Sequence, residues 1–399
     1  MFNLFIITNL LYVVGGTTYL TTNSHIDMPI YQKRPLAEQM EMIDILDLGD
    51  RPRRQAGPNI HNSASKFLLE VYNEISEGQE PEEVLHQRHK RSLDDDILIS
   101  NEDRQEIASC NSILTFSSRV KPEELNNELD MHITFNTNDV PVDLSLVQAM
   151  LRIYKQPSLV ERRENFTVSV YRKLDNRQDF SYRILGSVNT TSSQRGWLEF
   201  NLTQTLRTWL LNKGLPRRNE LRISIGDSQL STFAAGLVAP QASRSNLEPF
   251  IVGYFNGPEL LVKIQKLRFK RDLEKRRGGG PPPPPRSPPV DLYRPPQSCE
   301  RLNFTVDFKE LQMHNWVIAP KKFEAYFCGG GCNFPLGSKM NATNHAIVQT
   351  LMHLKQPHLP KPCCVPTVLG AITILRYINE DIIDLTKYQK AVAKECGCH

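Results

Sequence analysis

The spacing of hydrophobic residues changes along the chain, and each spacing predicts a different kind of element. Between residues 31 and 76, Leu36, Met40, Ile43 and Leu46 recur every three or four residues, which is the repeat of an amphipathic helix. A second apolar run at 67–72 indicates another helix in the same stretch. The upstream part of the chain is therefore expected to begin with helices.

Residues 110–255 carry a different pattern, in which short apolar runs are separated by Asn, Asp, Pro and Gly. Such runs are typical of strands joined by turns. Strands are expected at 113–116, 132–135, 166–171 and 221–225. The segment 204–211 has the spacing of a short helix, so the whole region is predicted to be α+β and mostly β.

A Gly- and Pro-rich stretch at 278–289 interrupts these patterns. Glycine and polyproline bury little apolar surface, so this stretch is expected to be an extended, solvated linker. Beyond it, the alternation of apolar residues over 302–308 predicts a strand, and 371–378 predicts another. Between the two, a helix is predicted by the spacing of Ile347, Val348, Leu351, Met352 and Leu354.

The first residues have the features of a secretory signal. Residues 2–14 are nearly all apolar and small residues follow, which predicts a signal peptide over 1–16; a buried N-terminal strand or helix is the alternative. No later apolar run reaches the roughly 18–20 residues of a membrane-spanning helix. The formal charge of +4 is too small to indicate nucleic-acid binding by itself. We expect a secreted, extracellular product.

The cysteines are concentrated at the end of the chain. Of the eight, Cys110 alone precedes the linker, and the other seven are Cys299, Cys328, Cys332, Cys363, Cys364, Cys396 and Cys398. This crowding indicates a disulfide scaffold formed in an oxidising compartment. A zinc site is the alternative, but the spacings C-x3-C, CC and C-x-C differ from those of structural zinc sites.

Three basic tetrapeptides of the form R-x-[KR]-R predict cleavage by furin-type convertases. They end at Arg271, Arg91 and Arg54, and the first of them separates the cysteine-poor region from the cysteine-dense one. A solvated charge run is the alternative at each site. Cleavage after Arg271 would divide the chain into a propeptide, 17–271, a flexible arm, 272–298, and a compact domain, 299–399.

Pro-segments also occur in enzyme zymogens. The last 128 residues contain neither G-x-S-x-G nor H-E-x-x-H, and their cysteines have a structural spacing. We therefore expect no catalytic residue, metal or cofactor in this part of the chain. A binding function is favoured over an enzymatic one.

Four blocks after the linker carry a family resemblance: CGGGC at 328–332, NATNHAIVQTLMHL at 341–354, PKPCCVPT at 360–367 and CGCH at 396–399. They resemble the TGF-β superfamily, and WVIAP at 316–320 places the chain in its bone morphogenetic protein branch. Upstream, SASKFLLEVYNE, QAMLRIYK and GWLEFNL resemble that branch's propeptides more loosely. The resemblance implies a small disulfide-rich β fold, a cystine-knot growth factor with two β-fingers and one helix. Its propeptide would be α+β, with N-terminal helices and a β-rich arm domain.

Six cysteines allow 15 pairings, and the sequence alone does not select one. The resemblance implies the bridges Cys299–Cys364, Cys328–Cys396 and Cys332–Cys398. It also assigns Cys363 to a bridge between two subunits; a buried unpaired thiol is the alternative. Ile347 and Leu351 would then lie at the dimer interface.

The resemblance implies binding to two classes of serine/threonine-kinase receptor. The type I site would use Trp316, the loop Phe334-Pro335-Leu336 and the helix that follows, with Trp316 exposed rather than packed in the core. The type II site would use a finger surface that includes Ala319, Thr373 and Leu375, although small and apolar strand residues usually belong to a core. Relatives usually carry aromatic residues where Met313 and Arg376 stand, so a shifted receptor preference is expected. A cystine-knot antagonist that sequesters related ligands is the alternative.

Other partners follow from the same resemblance and from charge. The expected partners are the chain's own propeptide, a second identical or related subunit, and extracellular antagonists. The basic arm residues near 275–294 indicate an acidic glycosaminoglycan or matrix partner, with a solubilising tail as the alternative. The N-x-[ST] motif predicts N-glycosylation at Asn165, Asn189, Asn201, Asn303 and Asn341.

Overall fold

A computed structural model describes most of the chain. The described residues are 62–77, 99–119, 129–158, 165–175, 180–212, 219–226, 230–239, 247–257, 296–311 and 313–399. The predicted signal peptide, the helix at 36–46, the three cleavage sites and residues 272–295 of the arm lie outside this set. We call the described residues up to 257 the upstream region and those from 296 the C-terminal region.

The helices of the described residues are α1 (Ser63–Glu77), α2 (Asn101–Ser109), α3 (Thr203–Leu211), α4 (Asn344–Lys355) and a 3-10 turn (Ser338–Met340). The upstream strands are β1 (Ser112–Arg119), β2 (Met131–Phe135), β3 (Ser145–Lys155), β4 (Asn165–Asp175), β5 (Phe180–Thr191), β6 (Gly196–Asn201), β7 (Asn219–Ile225) and β8 (Phe250–Asn256). The C-terminal strands are β9 (Glu300–Leu302), β10 (Thr305–Asp307), β11 (Val317–Ala319), β12 (Lys322–Glu324), β13 (Phe327–Gly329), β14 (Cys364–Tyr377) and β15 (Ile382–Cys398).

Most of the predicted elements that fall on described residues are confirmed. The apolar run at 67–72 lies in α1, the segment 204–211 lies in α3, and the helix after residue 343 is α4. The four expected upstream strands are parts of β1, β2, β4 and β7. Within the described residues, no helix combines the length and the apolar character needed to cross a membrane.

The alternation over 302–308 predicted one strand, and that prediction is wrong. The chain instead forms β9, which pairs with β13, and then β10, which pairs with β12. Between them the carbonyl oxygen of Phe304 accepts hydrogen bonds from the backbone N–H groups of Ala325 and Tyr326. The segment changes its pairing partner at this point, so a continuous apolar alternation does not yield a continuous strand.

Helix α2 was not predicted, because its residues are mostly polar. Its start is fixed by a capping box, in which the Ser100 hydroxyl accepts a hydrogen bond from the backbone N–H of Asp103 and the Asp103 carboxylate accepts one from the backbone N–H of Ser100. Two otherwise unpaired N–H groups are satisfied in this way. The Ser100-x-x-Asp103 spacing was the available signal in the sequence.

One hydrogen-bonded strand order, β11-β14-β15-β1-β2-β7-β4-β5, runs through both regions. Strand β8 pairs with β1 and with β3, and β6 pairs with β3. Strand β1 is the junction, because Ser112–Phe116 pair with Thr386–Ile382 of β15 on one side and with β8 on the other. The upstream core is formed by buried side chains of the upstream strands, among them Leu114, Phe116, Ile133 and Leu151. The antiparallel pair β14–β15, which we call the finger, therefore extends an upstream sheet.

Candidate functional site

Three disulfides hold the base of the C-terminal region. They join Cys299 to Cys364, Cys328 to Cys396 and Cys332 to Cys398, with Cα–Cα distances of 5.4, 5.6 and 5.8 Å. These are the pairings that the resemblance implies. The last two bridges close a ring through 328–332 and 396–398, and the Cys364 sulfur lies 3.4 Å from the carbonyl oxygen of Gly329 in that ring. The cysteines are thus used as cross-links rather than as zinc ligands.

The ring needs glycine where its backbone turns. Gly330 has φ of +108°, a conformation that L-residues rarely adopt, and a Cβ there would lie 2.0 Å from the carbonyl oxygen of Ser298. A Cβ on Gly397 would lie 2.6 Å from the carbonyl oxygen of Asn341. A side chain at either position would clash with backbone that packs against the ring from outside, so the ring and that neighbouring segment would have to separate.

Cys363 has an exposed thiol and forms no bridge in the single chain. Its backbone N–H donates to the carbonyl oxygen of His399 at 2.8 Å, and the His399 N–H donates back at 3.0 Å. The adjacent Cys364 bridges to Cys299. The fold thus fixes the backbone of Cys363 while leaving its sulfur accessible.

Helix α4 presents two different faces. Its N-terminal cap is Thr343, whose hydroxyl accepts a hydrogen bond from the Ala346 N–H at 3.2 Å. Ala346 is fully buried against Cys299, Cys332 and Cys398. We call the three disulfides and the ring that they form the knot. Ile347 and Leu351, by contrast, are 42% and 49% exposed. The side chains of Val348, Met352 and Leu354 are also exposed. An apolar helix face of this kind is expected to be covered in the assembled protein.

The finger surface assigned to the type II site lies beneath the upstream region. Leu375 is 1% exposed and belongs to one apolar cluster with Ile383 of β15 and with Phe67 and Leu68 of α1. Ala319 packs against the same cluster. Thr373, which is also buried, lies two residues before Leu375 and so on the same face of the strand. Helix α1 therefore covers a finger surface that would be apolar and open without it.

The expectation that Trp316 is exposed is wrong. Trp316 is 5% exposed and packs with Phe308, Met313 and Ile374 in a separate cluster at the other face of the finger. Met313 is itself buried there, so it acts as a core residue. Of the proposed type I loop, Phe334 is 59% exposed, Pro335 is exposed and Leu336 packs partly against the knot.

The charge of Arg376 is neutralised inside the structure. Its guanidinium donates from Nε to Asp384 at 2.8 Å, and both side chains are buried. The other carboxylate oxygen of Asp384 accepts hydrogen bonds from the hydroxyls of Thr386, at 2.7 Å, and of Ser112 from β1, at 2.9 Å. An unpaired charge here would be costly, so the four groups stabilise one another. The upstream region thereby completes a polar cluster of the finger.

A second polar contact lies at the tip of the same finger. The Asp381 carboxylate accepts hydrogen bonds from Arg119 Nε at 2.7 Å and from Asn136 Nδ2 at 3.4 Å. Beside it, Asn379 Nδ2 donates to the Asp139 carboxylate at 2.7 Å. None of these contacts is predictable from the sequence, because polar residues at strand ends carry no signal for a distant partner.

Helix α1 rests on a buried ionic cluster. The Arg152 guanidinium lies 4.6 Å from the centre of the Phe67 ring and pairs with Asp103 of α2 and with Glu199. Burial alone would raise the pKa of Asp103, but Arg152 and the Tyr254 hydroxyl outweigh it and hold that pKa below its usual range. Burial raises the pKa of Glu199. Arg152 thus connects α2 to the helix that covers the finger.

Comparison with known proteins agrees with this geometry. The TGF-beta propeptide model matches residues 21–254, and the transforming growth factor beta like domain matches residues 298–398. The chain is 91% identical to Protein screw of Drosophila melanogaster over 100% of both chains. It is 34% identical to Protein 60A of Drosophila virilis, over 90% of this chain and 87% of the relative. It is 31% identical to human bone morphogenetic protein 8A, over 90% and 89%. Taken with the knot and the covered finger, these matches show that the chain belongs to the transforming growth factor beta family, as the precursor of a secreted growth factor of the bone morphogenetic protein type.

Proposed function

We propose that the C-terminal region acts, after cleavage, as a disulfide-linked dimer that binds type I and type II serine/threonine-kinase receptors and activates Smad signalling. The observation that carries this proposal is the finger face around Leu375, which is apolar and covered by α1. Release of the propeptide would expose this face. A contiguous exposed apolar surface on a secreted protein is a binding site in most cases.

The type II receptor is proposed to occupy that face, with Leu375, Ala319 and Thr373 in contact. The propeptide and this receptor would then compete for the same residues, so the precursor is inactive towards it. The polar cluster around Asp384 would also change when the propeptide leaves, because the Asp384 carboxylate would lose its hydrogen bond from the Ser112 hydroxyl. Arg376 and Thr386 keep that carboxylate paired in the free ligand.

The type I receptor is proposed to contact the loop Phe334-Pro335-Leu336 and the start of α4. The exposed Phe334 ring supplies an aromatic anchor of the kind that interfaces favour. Trp316 acts here as a buried support, because its cluster holds the finger from which the site is built.

The dimer is proposed to form through Cys363 and the apolar face of α4. In a symmetric dimer, equivalent patches meet across the two-fold axis, so one cysteine from each subunit forms the bridge. The exposed Ile347 and Leu351 would then be buried against the partner subunit. An identical or a related subunit satisfies this geometry.

Processing is proposed to occur after Arg271, with further cuts after Arg91 and Arg54, and after a signal peptide over 1–16. The product would carry the arm 272–298 ahead of the knot domain 299–399. The arm's basic residues, Lys275, Arg276, Arg277, Arg286 and Arg294, are proposed to bind acidic glycosaminoglycan. Heparin affinity of the product, with and without 272–298, tests this proposal; equal elution would contradict it.

Receptor activation is tested with the purified, cleaved dimer on cells that carry a Smad-responsive reporter. Leu375→Ala should lower type II receptor affinity about tenfold, since a central apolar anchor typically contributes more than 1 kcal/mol. Val368→Ala is the matched control, because Val368 is a half-exposed residue of the same strand that lies near the knot. A wild-type dimer that leaves the reporter silent and blocks a related ligand would favour the antagonist alternative.

A further inference from the structure

Departure of the propeptide uncovers the backbone of one ligand strand as well as an apolar face. Among the described strands, β15 pairs with β14 on one side and with β1 on the other. Strand β14 belongs to the ligand, whereas β1 lies in the propeptide. Residues 382–386 of β15, which pair with 112–116 of β1, therefore keep one neighbouring strand after release and lose the other. We call the side of residues 382–386 that faces β1 the β1-binding edge.

The hydrogen bonds at the two ends of this pairing show which backbone groups face β1. The Lys387 N–H donates to the Asn111 carbonyl oxygen at 2.8 Å, and the Ser117 N–H donates to the Asp381 carbonyl oxygen at 2.8 Å. Bonded pairs alternate along an antiparallel ladder, so the odd-numbered residues of 381–387 direct their N–H and C=O groups towards β1. Loss of β1 takes the partners of these groups away.

The edge remains a strand in the released ligand, because β14 holds it from the other side. The even-numbered residues of 382–386 direct their backbone groups towards β14, and Asp384 lies opposite Arg376. The buried ion pair between these two side chains, at 2.8 Å, adds to the pairing. A strand whose donors and acceptors are held in an extended row is a template for the addition of a further strand.

A second copy of the ligand fits this edge poorly. A two-fold pairing of β15 with itself that uses all of residues 382–386 is centred on Asp384, so each Asp384 carboxylate lies opposite its equivalent. Like charges directly opposite each other destabilise a ladder. A charge placed in this way is one of the means by which natural edges avoid pairing with copies of themselves. The edge therefore favours a strand of different sequence.

The propeptide strand shows which side chains suit the two ends of the edge. At one end of β1 the Ser112 hydroxyl donates to the Asp384 carboxylate at 2.9 Å. At the other end Arg119 donates from Nε to the Asp381 carboxylate at 2.7 Å. A matching strand thus carries a hydroxyl residue and an arginine in the same relative positions, because each of them meets a carboxylate of the ligand.

The next position of such a strand is set by the proposed type II face. Ile113 lies opposite Leu385, and both belong to the apolar cluster that contains Leu375. Leu114, by contrast, belongs to the upstream core. An added strand therefore needs an apolar side chain where Ile113 stands, whereas the identity of the following residue matters to the propeptide rather than to the ligand.

We propose that the β1-binding edge is a strand-addition site, which an extracellular protein other than the propeptide occupies once the ligand is released. The occupant is an extended, antiparallel segment with a Ser or Thr hydroxyl for Asp384, a β-branched apolar side chain beside Leu385 and an arginine for Asp381. This inference rests on the proposed release of the ligand after cleavage. Such a partner takes the backbone groups that β1 uses, so it keeps the ligand from returning to the propeptide.

Amide hydrogen exchange of the released, disulfide-linked dimer, read residue by residue by NMR, tests whether the edge is open. We expect fast exchange at the odd-numbered residues of 383–387 and exchange about tenfold slower at the even-numbered residues of 382–386, whose N–H groups remain bonded to β14. Uniformly slow exchange would show that another part of the ligand covers the edge. Uniformly fast exchange would show that the strand itself is lost, and either result would overturn the proposal.

Strand addition is tested by titrating the dimer with a synthetic peptide of residues 111–119, with acetylated and amidated ends. N-methylation at Ile113 and Thr115 removes the backbone donors that face β15. N-methylation at Leu114 and Phe116 removes donors that face away from β15, so this peptide is the matched control. We expect the first peptide to bind about tenfold more weakly than the control. Equal affinity of the two, or no binding of the unmodified peptide at millimolar concentration, would overturn the proposal.

Substituted peptides test the chemistry of the occupant. Ser112→Ala and Arg119→Ala should each weaken binding about threefold to fivefold, whereas Leu114→Thr should bind within about twofold of the unmodified peptide. Loss of binding by Leu114→Thr would show that the edge accepts the propeptide sequence only, which would exclude a different protein as its occupant.

Reporter activation by the same dimer separates this inference from the proposed function. A dimer that activates the reporter but binds no peptide refutes strand addition and leaves receptor activation standing. A dimer that binds the peptide with the expected N-methyl pattern but leaves the reporter silent supports strand addition and refutes receptor activation.

Discussion

The hydroxyl of Ser112, on the propeptide strand β1, donates a hydrogen bond of 2.9 Å to the carboxylate of Asp384 on the ligand finger. The two residues lie on opposite sides of the predicted cleavage site, so this bond is lost when the ligand leaves. Asp384 is buried together with Arg376, and a buried carboxylate is stabilised by each donor that it finds. The pair therefore contributes to retention of the ligand by the propeptide.

Ser112→Ala should weaken propeptide retention without unfolding either part. Arg376 and Thr386 still pair with Asp384, so the expected loss is that of one hydrogen bond, about 1 kcal/mol or roughly fivefold in Kd. The measurement is the dissociation constant of the cleaved propeptide–ligand complex. Ser109→Ala is the control, since its exposed hydroxyl bonds only within α2. Equal weakening by both substitutions would contradict a specific role of Ser112.

Phe67→Ala should release α1 from the finger. The Phe67 ring is fully buried, lies 5.8 Å from that of Phe250 and contacts the Arg152 guanidinium, so truncation should cost about 3–5 kcal/mol. We expect faster amide hydrogen exchange over 63–77 and stronger type II receptor binding by the cleaved but unseparated complex. Asn73→Ala, an exposed position of the same helix, should change neither quantity. Unaltered exchange in Phe67→Ala would show that α1 is held by other contacts.

Cys110 should be protected from alkylation in the folded precursor. Burial raises the pKa of its thiol to about 11, so the reactive thiolate is only about 0.1% of the population at pH 8. Because the folded pKa is raised, its contribution to stability is complete below pH 9 and is lost as the pH rises towards 11. Iodoacetamide labelling followed by peptide mass spectrometry should therefore be slow at pH 8 and rapid after unfolding. Fast labelling of native protein at pH 8 would contradict this assignment.

The sequence predicted elements better than it predicted their partners. The helical repeat of α1 predicts that one face of the helix is apolar. It does not predict what that face packs against, so the contact with Leu375 could not be distinguished from packing within the propeptide. Trp316 illustrates the same limit at a single residue, because an aromatic next to a strand suits an anchor or a core equally well. Both outcomes depend on contacts between segments that are distant in the chain.

The disulfides were the most predictable part of the site. Their pairing came from the resemblance, and the ring geometry explains the glycines that accompany it, as Gly330 shows with its positive φ. The polar contacts of Arg119 with Asp381 and of Ser112 with Asp384 were not foreseeable. Serine, aspartate and arginine at strand ends are usually solvated, and only the pairing of β1 with β15 brings these residues together.

Cys363→Ser should abolish the covalent dimer and leave the knot intact. The thiol is exposed and unbridged in one chain, while the neighbouring Cys364 holds Cys299 across 65 residues of sequence. The apolar face of α4 should still support a weaker, non-covalent dimer, because burial of Ile347 and Leu351 does not require the bridge. Cys364→Ser is the contrasting variant. Loss of its bridge removes roughly 4 kcal/mol of stabilisation and should block secretion. Non-reducing electrophoresis of the secreted products separates the two, and a Cys363→Ser protein that still migrates as a covalent dimer would assign the intersubunit bridge to another cysteine.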